Sequence, residues 1–154
     1  MTKIFGDKGF LIYKIIFSIL FIARPISVIL VGISNKNTLH LNPFFAYILG
    51  FLLLIPAVYG MYSVIRYFGI DRAYGIDHFE PEIYLNKPFV KQGLFKYTDN
   101  AMYKFVFLAL WAIGLGFLSK AALLVAAFNH LYIWVHFYFT ELPDIRHIYG
   151  QSAE

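Results

Sequence analysis

Asn129, His130, His136, Thr140 and Glu141 are polar residues in or just after a run of mostly apolar ones. At about 100° per residue, Asn129, His136 and Thr140 fall within about 40° of one another on a helix, and His130 and Glu141 share a neighbouring stripe. Ionisable side chains in such a setting are expensive and are site candidates. His130 would stand near the middle of its span, either as a neutral histidine bonded to another helix or as part of a site. His136 lies nearer the end. Glu141 sits at the C-terminal end of the helix, where the dipole opposes a carboxylate. A cation should offset it: Arg146, Lys96 or a bound cation. The segment then continues as "TELPDIRHIYG".

Other residues invite the same question. Arg24 stands beside Pro25 deep in an apolar run. It can pair with a lipid phosphate or a buried acid, or simply mark a kink. Tyr59, Tyr62 and Arg66 recur at i, i+3 and i+7, which suits helix packing, an interfacial belt or a ligand site. Several chemistries are excluded. The chain has no cysteine, so no thiolate catalysis, disulfide or cysteine-based metal site can form. It has no GxGxxG, P-loop, HExxH or G-x-S-x-G motif. His130 and His136 are six apart, not the i, i+4 spacing for shared metal ligation, and no metal is expected.

The elements that must hold these residues are membrane spans. The 154-residue chain is 60% hydrophobic and only 14% charged, against about 25% charged in soluble domains. A stretch of about 18 or more apolar residues reads as a span. Four are expected: Phe10 to Ile33, Phe44 to Phe68, Ala101 to Leu118 and Ala121 to Thr140. Only Ser119-Lys120 separates the last two, so they should form a tight helical hairpin, with Gly114 and Gly116 permitting close approach. Helices are the only sensible spanning form here. The expected fold is therefore all-α: a polytopic integral membrane helical bundle, one domain over residues 1–154, without a cleavable signal peptide.

Between the second and third spans lies "GIDRAYGIDHFEPEIYLNKPFVKQGLFKYTDN". Its length and its aromatics predict an ordered segment packed on the helix ends. Lys and Arg concentrate in the N-terminus, this segment and the C-terminus, which places those parts in the cytoplasm. The segment and the "TELPD" stretch would then emerge on one face and build one site. The net charge of +4 fits topology and headgroup contact rather than nucleic-acid binding.

The stretch from about Gly93 to Gly150 resembles the membrane-embedded S-adenosylmethionine-dependent methyltransferases, of the phospholipid N-methyltransferase and isoprenylcysteine carboxyl methyltransferase type. "GLFKYTDNAMY" matches through Gly93, Phe95, Lys96, Tyr97, Asn100 and Tyr103; "ELPDIRHIYG" matches through Glu141 and Tyr149-Gly150. Asn100 and Ala101 replace the family's histidine and proline, and Leu142 replaces its second glutamate. The "TELPD" form looks like a divergent bacterial branch, hence an inner-membrane protein.

The resemblance implies S-adenosylmethionine as cofactor and a membrane lipid as partner. It implies cofactor contacts at Tyr97, Asn100, Tyr103, Asn129, His130, Glu141, Tyr149 and Gly150, with His136 and Glu141 in the catalytic roles. Arg24, Tyr62 and Arg66 are the candidates for binding substrate. The expected reaction is methyl transfer to a lipid headgroup amine of the phosphatidylethanolamine type. The alternatives are carboxyl methylation of an isoprenoid-type lipid, a non-catalytic lipid- or partner-binding protein on the same scaffold, and a glutathione-conjugating four-helix transferase.

Overall fold

A computed structural model describes residues 8–84, 88, 90–98 and 100–149. The described residues form helices and turns, with no strand among them. Helix α1 is Gly9–Ser34 and α2 is Pro43–Ser63, prolonged by a wide π-helical turn, Val64–Phe68. Three short helices follow: α3 (Ile70–Ala73), α4 (Ile76–Phe79) and α5 (Pro81–Tyr84). After a 3₁₀ turn at Gly93–Lys96, a second π turn, Met102–Val106, leads into α6 (Leu108–Gly116). Helix α7 (Lys120–His136) runs through a third π turn, Phe137–Glu141, into α8 (Leu142–Tyr149).

Gly9–Ser34, Pro43–Phe68 and Lys120–Glu141 are long and apolar enough to cross a membrane, and Met102–Gly116 is a shorter apolar helix. The third expected span is thus shorter than its sequence suggested. It is also the central one: Tyr103, Val106, Phe107, Leu110, Ala112 and Leu115 are buried. It packs on α1, α2 and α7. By contrast α1 turns Ile15, Ile19, Ile22, Ile26, Leu30 and Ile33 outward. An apolar outer surface is what lipid selects, because the hydrophobic effect no longer drives such residues inward.

Local chemistry sets the helix ends. Asn42 caps α2 by accepting from the Phe44 amide at 2.9 Å, with Pro43 at the first helical position. Ser119 caps α7 by accepting from the Ala122 amide at 3.1 Å. The tight hairpin is as expected, but only one of its two glycines is needed for packing. A Cβ on Gly114 would come within 2.8 Å of Leu123 Cδ2, whereas one on Gly116 would meet nothing. At this pole the α1–α2 connector clasps the hairpin: the Asn37 amide donates to Phe117 O at 3.1 Å and the Leu39 amide to Leu118 O at 2.8 Å.

The opposite pole carries the long polar segment, packed on the helix ends as expected. Phe79 sits 5.4 Å, centroid to centroid, from both Phe10 and Tyr13 of α1, and Tyr74 sits 5.4 Å from Phe17. Lys14 Nζ is 2.5 Å from Asp71 Oδ1. A small second core of Val64, Phe95 and Ala101, with Phe68 stacked on Phe95 at 4.9 Å, joins α2, the 3₁₀ turn and α6.

Candidate functional site

All three π turns lie at this polar pole, where each interrupts a helix that is α-helical on its other side. Such insertions re-aim side chains and recur at functional sites. Between them opens a cavity of about 330 Å³, within the range of small-molecule sites. Tyr13 and Phe17 of α1, Phe68, the 72–79 turns, Asn100, Tyr103, His136, Phe137, Thr140, Glu141 and Ile145 border it. The polar stretches before α6 and after α7 therefore share one site, as their sequence placement suggested.

Glu141 is its centre. Oε1 accepts a hydrogen bond from the Tyr103 hydroxyl, and His136 Nε2 lies 3.3 Å from the same oxygen. Oε2 makes no hydrogen bond among the described residues. The π turn brings His136 and Glu141, five apart, into this contact. Tyr103 is buried against Phe107, Trp134 and Phe137 in edge-on contacts, so the hydroxyl that steadies the carboxylate is itself held firmly. Asn100 borders the cavity and also caps the helix that follows: its Oδ1 accepts from the Tyr103 amide at 3.1 Å.

Other candidates lie away from this cavity. His130 Nδ1 accepts from Trp111 Nε1 at 3.0 Å, a helix-to-helix bond. Asn129 donates to Val125 O at 2.9 Å within its own helix. Neither borders the cavity; the side chain on the site's side of α7 is His136. Tyr97 is 81% exposed and points away from it. Tyr59 and Tyr62 stack at 6.2 Å on the outer face of α2, and Arg66 is exposed nearby. Val64 and Phe68, on another face of the same turn, reach the cavity instead. The Tyr149 side chain and Gly150 lie outside the described residues.

Arg24 does not border the cavity. Its guanidinium lies 5.4 Å over the Phe107 ring, which is itself 5.9 Å from the Tyr103 ring. Among the described residues no carboxylate lies within ion-pair distance of it.

Sequence reasoning missed the contribution of Tyr13, Phe17, Arg72, Tyr74 and Asp77. The signal was present in "GIDRAYGIDHF", where two Gly-Ile-Asp triplets each open a short helical turn. The second places Asp77, buried, at the cavity wall. Arg72, from the first, is sandwiched between the Phe68 and Tyr84 rings at 4.9 and 5.4 Å. Among the described residues no group of histidines and carboxylates could hold a metal ion.

The donor set fits a cationic or zwitterionic cofactor. A carboxylate with one uncommitted oxygen, an asparagine and several aromatic rings complement a sulfonium, an ammonium and ribose hydroxyls. In comparison with known proteins, the sequence model of the phospholipid methyltransferase family matches residues 45–152, well over half of the chain. No curated protein and no solved structure matches it.

Proposed function

The chain belongs to the phospholipid methyltransferase family, and from that premise we propose that it transfers a methyl group from S-adenosylmethionine to the amine of a phospholipid headgroup of the phosphatidylethanolamine type. The observation that carries the reading is the Tyr103–Glu141–His136 network on the wall of a cavity at a membrane-span end.

Bound in this cavity, S-adenosylmethionine would supply an electrophilic methyl on a sulfonium. Glu141 Oε2, Asn100 and Tyr103 are the groups placed to hold it. Methylation would leave positive charge on the acceptor nitrogen, and a proton would have to leave it. With its Nε2–H given to Glu141, a neutral His136 keeps a lone pair on Nδ1 to receive that proton. Much of the acceleration would come from holding the two reactants in a near-attack geometry.

Depth orders the remaining groups. At 1.5 Å per residue, Arg24 lies about 22 Å into α1 from Gly9, and Tyr13 only about 6 Å. Arg24 lies over the ring of Phe107, the neighbour of Tyr103, while Tyr13 borders the cavity together with Glu141. Because about 22 Å exceeds half of the ~30 Å hydrocarbon core, the headgroup would have to be drawn down along α1 to reach Arg24. Arg24 would take the phosphate through its planar donors, and the amine would rise toward His136 and Glu141. The lipid would reach the site sideways from the bilayer, and the cofactor from the cytoplasm.

The test is transfer of labelled methyl from S-adenosylmethionine into extracted lipid by the membrane-inserted protein. Label should appear in amine-headgroup phospholipid. Glu141→Ala should weaken cofactor binding about tenfold or more, since a charge-assisted bond is worth about 1.5–3 kcal/mol. Arg24→Lys should impair transfer and spare cofactor binding. Label confined to base-labile isoprenoid esters, or no label with the cofactor bound, would overturn the reading.

A further inference from the structure

The family match begins at residue 45, yet α1, which precedes it, builds one wall of the cavity through Tyr13 and Phe17. These rings are fixed in place. Tyr13 is 5.4 Å from Phe79, and Phe17 is 5.4 Å from Tyr74 in an edge-on contact. The Tyr74 hydroxyl accepts from Ser18 Oγ at 2.9 Å, and the Lys14–Asp71 pair at 2.5 Å ties the α3 turn to the same helix. The carboxylates of Glu141 and Asp77 border the same cavity, as does Arg72, whose guanidinium lies between the Phe68 and Tyr84 rings.

A wall of rings in a cavity with carboxylates is suited to a cation. Rings attract a cation most when it is desolvated, and an alkylated ammonium loses little by leaving water. Tyr13 and Phe17 lie about 6 and 12 Å from the start of α1, nearer the helix end than Arg24.

We propose that Tyr13 and Phe17 form the recognition wall for the acceptor's ammonium, and that this wall favours headgroups already carrying methyl groups. The inference rests on the cavity being a lipid-amine methylation site. Each methyl removes an N–H donor and adds apolar surface beside the rings. Affinity therefore rises from the primary to the quaternary ammonium, and the site keeps a partly methylated headgroup for further rounds. A carboxylate acceptor beside Tyr13 and Phe17 would meet the faces of rings, which favour cations.

The experiment is equilibrium binding to the full chain in detergent, which needs no turnover. The probes are short-chain phosphatidylethanolamine, phosphatidylcholine and phosphatidylglycerol, with S-adenosylhomocysteine measured in parallel. The parent should bind the choline lipid tighter than the ethanolamine lipid, and both tighter than the glycerol lipid. Tyr13→Leu and Phe17→Leu should each weaken the choline lipid about fivefold to tenfold, between an exposed and a fully desolvated cation–π contact. Tyr13→Phe should keep the parent ranking, and S-adenosylhomocysteine should bind all variants alike, which also certifies their fold. Unchanged lipid ranking in the Leu variants overturns the inference, as does a loss confined to S-adenosylhomocysteine, which would give the wall to the cofactor. A parent that ranks the lipids as stated but transfers no methyl would sink the catalytic reading and leave the wall standing.

Discussion

One carboxylate oxygen serves two partners in this protein, and the residue that positions the first of them is Asn100. Its backbone carbonyl accepts from the Lys104 amide at 3.3 Å and its side chain accepts from the Tyr103 amide. It thereby caps the helix that carries Tyr103 to Glu141. A histidine at this place, as in the related enzymes, could titrate; the asparagine commits its oxygen to the helix and leaves its NH₂ at the cavity wall. Asn100→Ala should lower stability by about 1 kcal/mol, a typical cap loss, and weaken cofactor binding as Tyr103 shifts. Asn100→Asp keeps the acceptor and should retain the parent's melting temperature. Thermal unfolding of the three proteins in one detergent checks this. Equal melting of the Ala variant and the parent would remove the capping argument.

At the scale of elements, Gly93 marks where the segment before α6 docks. Its φ is +58°, and an added Cβ would come within 2.7 Å of the Tyr67 ring and 2.8 Å of Ser63 Oγ. The buried Ser63 hydroxyl accepts from the Leu94 amide at 3.3 Å. Gly93→Ala would strain the backbone and push the 3₁₀ turn off α2, at a cost of about 1–3 kcal/mol. Protease susceptibility of the 93–100 stretch should rise in the variant; an unchanged digestion pattern would show that the turn adjusts cheaply.

The span limits and the hairpin were legible in the sequence because the bilayer imposes length and apolarity on them, and Phe10 to Ile33 emerged as Gly9–Ser34. The pairing of the two polar stretches was legible from span parity. The positions of Asn129 and His130 were not. Angular arithmetic assumes one α-helical pitch throughout and does not say which neighbour a face meets. His130 met Trp111, and the π turn changed the angle between His136 and Glu141. Tyr13 and Phe17 were hidden for another reason: in an apolar span an aromatic is the expected residue, so nothing in composition separates a cavity wall from a lipid-facing ring.

For the whole molecule the two poles differ in kind. One is a clasp of short connectors, with Asn35 Oδ1 accepting from the Ala121 amide and Thr38 Oγ1 from the Lys120 amide. The other holds the cavity and the basic residues of the long segment. A cytoplasmic active site requires the clasp to face the other way. Because the chain has no cysteine, Lys36→Cys and Lys96→Cys, both at exposed positions, can be labelled singly with a membrane-impermeant maleimide in sealed inverted vesicles. Position 96 should react at once and position 36 only after the membrane is opened. Equal reactivity would contradict the topology.

A π turn holds one residue more than the α-turn it replaces, so the three at the cavity act as phase shifts in otherwise regular helices. The register of each helix at the clasp is thereby uncoupled from its register at the site. A single added residue can then rotate the cavity-lining groups without disturbing packing across the membrane. Removing Phe139 would leave His136 and Glu141 four apart at α-helical pitch, still on one face, whereas inserting an alanine after Phe139 should turn Glu141 about 100° around the axis, away from Tyr103. The lengthened protein should still insert and melt cooperatively, while S-adenosylhomocysteine binding disappears; retained binding would mean the turn absorbs the extra residue. A bundle keyed in this way offers its own inactive twin, one codon longer.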